Sequence, residues 1–546
     1  MNTSIAEYFI LKQFKYLDHN SDINQSGGSK NNKIKWTTLK HNGVLFPPPY
    51  TPHNIPVKYL NTDVKLTPEQ EEAATMYAKY LKTDYVKNST FNKNFWKDWK
   101  KILGPEHIIQ NLSDVDFTPI YNYIQNQQKK KNTDTTTNLD KYKTLYIDGV
   151  EQPVGNYRIE PPGIFIGRGN HPKTGRIKKR IQPSDITINI GKEEEIPKTP
   201  NGDTNWKEII HDRRSVWIAS WKENITNHTK YVWLGSKSNI KAQSDQEKFD
   251  TAKKLKKIIK KIRDINYKNM SSDDIKTKQI ATALYFIDKL ALRVGNEKTS
   301  DEADTVGVTS IRVEHIKLHD NNSLTLDFLG KDSIRYVNTI TVDPLVHNNI
   351  NSFIISKNHT DQLFDKINPM MLNKYLSHFM KNLTSKVFRT YNASYLFQKE
   401  LKKIDAHVSL IEESTSKTNM IIDMFNKANL KVAKLCNHQK KISNSHAEQM
   451  KKIKNKIKIL KKKKSETNSR EKKSKIEDKI KLLKAKKKIK SEMKNLSLGT
   501  SKTNYIDPRI TVAFIKRHNL PVDRILSKTL KEKFWWAFEV DSNYKF

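Results

Sequence analysis

The sequence predicts a mixed α+β, multidomain protein, and three observations carry that prediction. The 546 residues suffice for about three or four domains. Short strand-like runs broken by turn residues occupy residues 155–235, whereas helix-period patterns dominate from Asp245 onward. Residues 442–496 form a third kind of region, with 21 Lys and Arg against 6 Asp and Glu, a net +15.

Taken in order, residues 1–32 end in a Gly-Ser-Asn-rich stretch and read as a flexible lead. Leu45-Phe46-Pro47-Pro48-Pro49-Tyr50 is a rigid extended passage. Thr67-Pro68-Glu69-Gln70 places a cap and a first-position proline at the start of a helix running toward Leu81. Phe91, Phe95, Trp96 and Trp99 form the aromatic face of a second helix, and the polar run Gln125–Asp140 reads as a mobile excursion. Thr187–Ile190 and Val216–Ile218 have strand character. Lys278–Leu292 carries Ile280, Leu284, Ile287 and Leu290 at helical spacing, with Arg293 at its end. Leu324, Leu326 and Phe328 alternate as in a half-buried strand, Gly330 allows a turn, and Ile334–Val342 returns. In the basic region Ile453, Ile457 and Leu460, then Ile476, Ile480 and Leu483, give one narrow seam on each of two helices. Ser465–Ser469 breaks the run, so the pair is expected to fold back as an antiparallel hairpin, the alternative being a solvated low-complexity tract. A compact end, Leu498–Phe546, has Phe534, Trp535, Trp536 and Phe538 to bury.

Composition narrows the function classes. Lys and Arg total 99 against 59 Asp and Glu, a net charge of +40 that calls for a polyanionic partner, nucleic acid first. The 9 Trp, 20 Phe and 21 Tyr supply real cores, unlike a disordered basic tail. The single cysteine, Cys436, excludes a disulfide framework and a Cys-based zinc site. No run approaches 18 apolar residues, and Met1–Gln13 lacks the pattern of a secretory signal. Asp301-Glu302-Ala303-Asp304 spells a helicase box, yet no phosphate-cradling G-x-x-x-x-G-K-[ST] loop occurs. Gly167-Arg168-Gly169 lacks the strand and helix that a dinucleotide loop needs, and Asp114 with Asp116 has no second acidic cluster to complete a two-metal site. Metal-free work on phosphodiesters instead requires arginine forks, a histidine donor, an acid for the leaving oxygen and a protein nucleophile, groups that can lie far apart in a chain.

Long ordered motifs then point to one family. Glu160–Pro172 (EPPGIFIGRGNHP), Ala283–Lys298 (ALYFIDKLALRVGNEK), Asp327–Tyr336 and Lys386–Ser394 (KVFRTYNAS) are very similar to signatures of the eukaryotic nuclear type IB DNA topoisomerases. Cys436–Gln439 and Leu498–Ile510 (LGTSKTNYIDPRI) complete the series, and the resemblance runs from about Lys35 to Phe546. It implies Tyr505 as nucleophile, with Arg293, Arg389 and His438 donating to the non-bridging oxygens of the scissile phosphate and Lys331 protonating the leaving 5′-oxygen. It also implies a drug and DNA pocket at Arg168, Asp332, Thr500 and Asn504.

The architecture implied is a clamp around duplex DNA. An N-terminal α/β cap, 33–235, faces a mostly helical catalytic core, 236–441, which a basic coiled-coil linker, 442–496, joins to a small helical domain, 497–546, holding Tyr505. The implied partner is duplex DNA, preferentially supercoiled, bound by a monomer in the nucleus with no membrane, no metal and no cofactor. The family's long charged N-terminal region is nearly absent and the linker looks short. Three competing classes are a tyrosine recombinase, a non-catalytic DNA-binding protein and a metal-dependent nuclease. Recombinases usually carry histidine three residues before the second arginine, where this chain has Lys386.

Overall fold

The computed structural model describes residues 34–130, 139–299, 301–408, 417–440, 442, 445–492 and 494–546. They form a mixed α/β fold of many helices and several small sheets in two units. One unit takes in the described residues up to Lys241 together with Lys298–Asp304; the other comprises Ala242–Glu297 and Thr305–Phe546. The lead, residues 1–32, lies outside the described residues.

The first unit has two cores. One gathers Trp36, Leu39, Leu145, Ile188, Ile218 and Val232 from an antiparallel three-stranded sheet (Leu39–His41, Thr144–Ile147, Val150–Pro153) and a four-stranded sheet. The hairpin Thr144–Pro153 turns on Asp148 and Gly149, both at positive φ (50° and 78°), as a two-residue turn between twisted strands requires. The four-stranded sheet runs in the order Glu208–Ile210, Thr187–Asn189, Ala219–Lys222, Thr229–Val232. Val216–Ile218 therefore leads into a strand instead of forming one: pairing with Val232 at Ala219 sets where the ladder begins.

The second core packs three helices over a small sheet. The helix Pro68–Ala78 opens as expected, with Thr67 N–H donating to the Gln70 side chain at 3.0 Å, and stops short of Leu81. Buried Glu71 on this helix accepts from Tyr50 Oη (2.7 Å) and from the backbone of His53 and Asn54 (both 2.8 Å), which anchors the end of the proline passage. The helix Ser89–Leu103 buries Phe91, Phe95 and Trp99; Trp96, at the edge of that face, is only partly covered. Each fully buried side chain of this size contributes about 1.5–3 kcal/mol. The helix Thr118–Lys130 overruns the expected excursion at Gln125, because Ile120 and Ile124 hold its inner face in the core. Residues 131–138 of that excursion lie outside the described residues.

The second unit starts with the long helix Asn239–Asn269 and the helix Ile275–Leu290. An antiparallel sheet follows, Ile316–His319, Ser323–Gly330 and Ile334–Thr341, with Leu324, Leu326 and Phe328 inward as their alternation predicts. The helices Ser385–Val408 and Lys417–Leu435 pack together. The helices Ser445–Ser465 and Arg470–Glu492 pack on one another as a hairpin, with Ile453 and Ile480 buried on the predicted seam and Lys464 paired to Glu477 at 2.8 Å. Three consecutive rungs close its base: Ser497 N–H to the His438 carbonyl (2.7 Å), a Gln439–Leu496 bridge, and Lys440 N–H to the Asn495 carbonyl (2.8 Å). At the chain end Phe534 and Trp536 are buried, whereas Trp535 stays 45% exposed, contrary to the sequence expectation.

Candidate active site

Each element delivers one group, and local geometry explains why. The helix Ile275–Leu290 ends because Ala291 takes left-handed backbone, φ 50°. Arg293 therefore stands beyond the helix, exposed, and is not its terminal residue as the sequence suggests. Its backbone is fixed by a crossing segment: Val308 N–H donates to the Arg293 carbonyl at 2.9 Å and Thr309 N–H to the Val294 carbonyl at 2.7 Å. The crossing is glycine against glycine. A Cβ on Gly307 would lie 2.3 Å from Gly295 Cα and 2.9 Å from the Arg293 carbonyl oxygen.

Arg389, on the helix Ser385–Val408, is buried. Its Nη1 donates to the Ala291 carbonyl at 2.6 Å and its Nη2 to the Cys436 carbonyl at 2.5 Å, so it joins the ends of two helices. Its Nε–H has no partner among the described residues. His438 follows the helix Lys417–Leu435, and its backbone N–H returns to the Ala433 carbonyl at 2.9 Å. Its Nδ1 lies 2.8 Å from Ser501 Oγ, while Nε2 is buried with no partner among the described residues. Burial first, then the Arg389 and Arg293 charges, push the imidazole down to about 3, so it is neutral near pH 7.

Tyr505 ends the short helix Leu498–Asn504, its N–H bonded to the Ser501 carbonyl at 3.0 Å. Ser394 Oγ donates to the Tyr505 carbonyl and accepts from Asp507 N–H, both at 3.0 Å. Asp507 then caps the helix Pro508–Arg517, with Pro508 at its first position, as the sequence predicts. The phenol is surrounded by donors. Arg293 Nη1 donates to Tyr505 Oη at 2.8 Å, the Arg389 guanidinium lies 4.9 Å from the ring centre, and His438 stacks on the ring at 5.3 Å and 22°.

Lys331 projects from the turn between the strands Ser323–Gly330 and Ile334–Thr341 and is exposed. It lines, with Arg293, Arg389 and His438, a cleft of about 140 Å³. The turn does not use Gly330, whose φ is −88°; Asp332 (69°) and Ser333 (56°) take the left-handed conformations. Asp332 and Thr500 line the same cleft. Asn504 is exposed and donates to the Thr500 carbonyl at 3.2 Å. Arg168 belongs to the other unit, between the strands Gly163–Ile164 and Ile177–Lys178.

The cleft thus gathers N–H donors, three of whose residues also lie against the Tyr505 ring or hydroxyl, an arrangement suited to an anion whose oxygens only accept. Sequence reasoning missed Ser501, Ser394 and the carbonyls that hold Arg389; the hydroxyls lie inside the quoted motifs but carry no signal of their own. Among the described residues, no group of three or more His, Cys, Asp and Glu side chains is placed to hold a metal, and no helix is long and apolar enough to cross a membrane.

Comparison with known proteins bears on all of this. Residues 34–234 match the family model for the DNA-binding fragment of eukaryotic DNA topoisomerase I, 237–494 that for its catalytic core, and 477–546 a C-terminal topoisomerase domain. The chain is 42% identical to DNA topoisomerase 1 alpha of Arabidopsis thaliana, over 98% of this chain and 62% of the relative. It is 41% identical to DNA topoisomerase 1 of Homo sapiens, over 94% of this chain and 72% of the relative. Against DNA topoisomerase 1 of Drosophila melanogaster the identity is 41%, over 94% and 55%. The chain thus spans less than two thirds of the Arabidopsis and Drosophila proteins.

Proposed function

The chain belongs to the eukaryotic DNA topoisomerase I family, and on that premise we propose that it is a type IB DNA topoisomerase. It relaxes positive and negative supercoils by cutting one strand, letting it swivel and resealing it. The observation that carries this reading is the Tyr505 hydroxyl, 2.8 Å from Arg293 Nη1, with Arg389 and His438 against the same ring.

A phenol is a modest nucleophile near neutral pH. Arg293, donating to Oη, orients the oxygen that attacks phosphorus as the phenol proton passes to solvent. The unpartnered Nε–H of Arg389 and the Nε2 of His438 meet the non-bridging oxygens, where charge grows in the transition state. Lys331 gives a proton to the departing 5′-oxygen. The product is a 3′-phosphotyrosyl ester and a free 5′-hydroxyl. One phosphodiester replaces another of similar energy, so the 5′-hydroxyl can attack in turn and reseal the strand without ATP or an essential metal.

The partner is duplex DNA, preferentially supercoiled, held by a monomer through a clamp of cap and catalytic core, in the nucleus. The basic hairpin serves as the coiled-coil linker. The net charge of +40 supports this partner. Arg168, Asp332, Thr500 and Asn504 match the positions of the family's drug and DNA pocket. The test is relaxation of supercoiled plasmid in EDTA without nucleotide, with covalent DNA capture on a denaturing gel. Relaxation of both signs is expected; a strict Mg²⁺ or ATP requirement refutes the reading.

A further inference from the structure

We propose that Ser501 is a positioning residue that sets the tautomer of His438 and ties it to the nucleophile Tyr505. The inference rests on the phosphodiester chemistry proposed above. It begins from two buried nitrogens with no partner among the described residues, Arg389 Nε and His438 Nε2, that belong to side chains lining one cleft. A phosphate offers acceptors only, so each nitrogen can serve it only as an N–H donor. Arg389 Nε always carries its hydrogen. His438 Nε2 does so, in a neutral imidazole, only if Nδ1 is the bare nitrogen.

A buried, bare Nδ1 needs a group that can donate to it. That group is Ser501 Oγ at 2.8 Å, in a side chain with no solvent exposure. A hydroxyl that donates to Nδ1 satisfies it as an acceptor and leaves the ring proton on Nε2, facing the cleft. Burial and the two arginines keep the ring neutral, so the choice of tautomer, not charge, governs its use. The same residue acts through its backbone. The Ser501 carbonyl accepts from both Tyr505 N–H and Ile506 N–H at 3.0 Å. One residue therefore orients a phosphate donor with its side chain and the nucleophile's backbone with its carbonyl.

Two measurements test this. Selective ¹⁵N-histidine labelling, with His438 assigned by difference against His438→Gln, reads the tautomer directly in the free enzyme. The expected spectrum has a protonated Nε2 and a bare Nδ1; a proton on Nδ1 overturns the proposal, whether or not the protein relaxes DNA. Single-turnover cleavage of an oligonucleotide duplex then compares Ser501→Ala in two backgrounds. In the native background the loss expected is about 10-fold, below the roughly 10²-fold cost of losing a donor outright. In His438→Gln, whose amide needs no tautomer, Ser501→Ala should add less than about twofold. An equal loss in both backgrounds shows that Ser501 does not act through His438 and overturns the proposal. Absence of cleavage in the native protein would instead sink the topoisomerase reading, with the spectrum still deciding the tautomer.

Discussion

Replacing Gly307 by alanine adds one methyl group at the crossing that holds Arg293. The backbone accepts it, since φ is −132°. The space does not: the new Cβ would meet Gly295 Cα at 2.3 Å, Gly295 N at 2.4 Å and the Arg293 carbonyl oxygen at 2.9 Å. Carbon atoms rest at about 3.5–4 Å, so the two segments must part by roughly 1 Å or more. That separation breaks the 2.9 Å bond from Val308 to Arg293 and carries the guanidinium away from its 2.8 Å contact with Tyr505. A misplacement of about 1 Å costs on the order of 10²-fold in rate, and overpacking about 1–3 kcal/mol in stability. Single-turnover cleavage by Gly307→Ala should therefore fall about 10²-fold, with DNA affinity by fluorescence anisotropy within twofold of native. Native cleavage rates in a folded variant would show that Arg293 is placed by something other than this crossing.

Tyr505→Phe abolishes covalent capture of end-labelled DNA while leaving binding nearly unchanged, and Arg389→Ala slows cleavage at least about 10²-fold; adducts surviving in the phenylalanine variant would move the nucleophile elsewhere. Deleting the basic hairpin and joining Lys440 to Asn495, which already share a 2.8 Å bond, by a two-residue turn should flatten the salt dependence of DNA binding, each lost phosphate contact removing roughly 0.9 from the log–log slope. Relaxation should persist at low salt, and an unchanged slope would mean that these lysines do not face DNA. His438 titrates at about 3 in the folded chain against an ordinary 6.5, so the unfolded chain binds that proton first and stability falls as pH drops across this window; His438→Gln should lessen the fall in urea unfolding between pH 6.5 and 4.5. Camptothecin should raise the level of cleaved complex, because Arg168, Asp332, Thr500 and Asn504 match the family's drug pocket; no rise at any concentration would reject that match.

Much of the helical framework was legible because it rests on local chemistry. Thr67-Pro68 and Asp507-Pro508 start helices by capping, and the spacing of Phe91, Phe95 and Trp99 fixes a buried face, that of Ile453, Ile457 and Leu460 a half-buried seam. The strand at Ala219–Lys222 was less legible: Ala and Ser are poor strand formers, and pairing with Thr229–Val232 overrides them. The hairpin at Asp148-Gly149 carried its turn signal in plain view and was missed. At the candidate site, Tyr505, Arg293, Arg389 and His438 were singled out by motif resemblance, since composition alone leaves Arg293 or His438 undistinguished. Ser394 and Ser501 escaped because a single buried hydroxyl leaves no periodic trace; its use depends on which distant group it meets.

The sealed base of the hairpin has a mechanical consequence. Each helix is a rod of about 32–35 Å, at 1.5 Å per residue. The three rungs at its foot, from His438–Ser497 to Lys440–Asn495, span only about 5–7 Å at strand spacing. The hairpin is thus a lever with arms in a ratio of about five to one, whose short arm contains the backbone of His438. Small swings of the tip are damped to a fraction of an ångström at the histidine. A sustained push of about 5 Å at the tip would deliver about 1 Å there, the scale on which positioning begins to affect rate. Drag from a rotating duplex, if applied to those lysines, would then reach the imidazole through the backbone, with no change in what the site itself is made of.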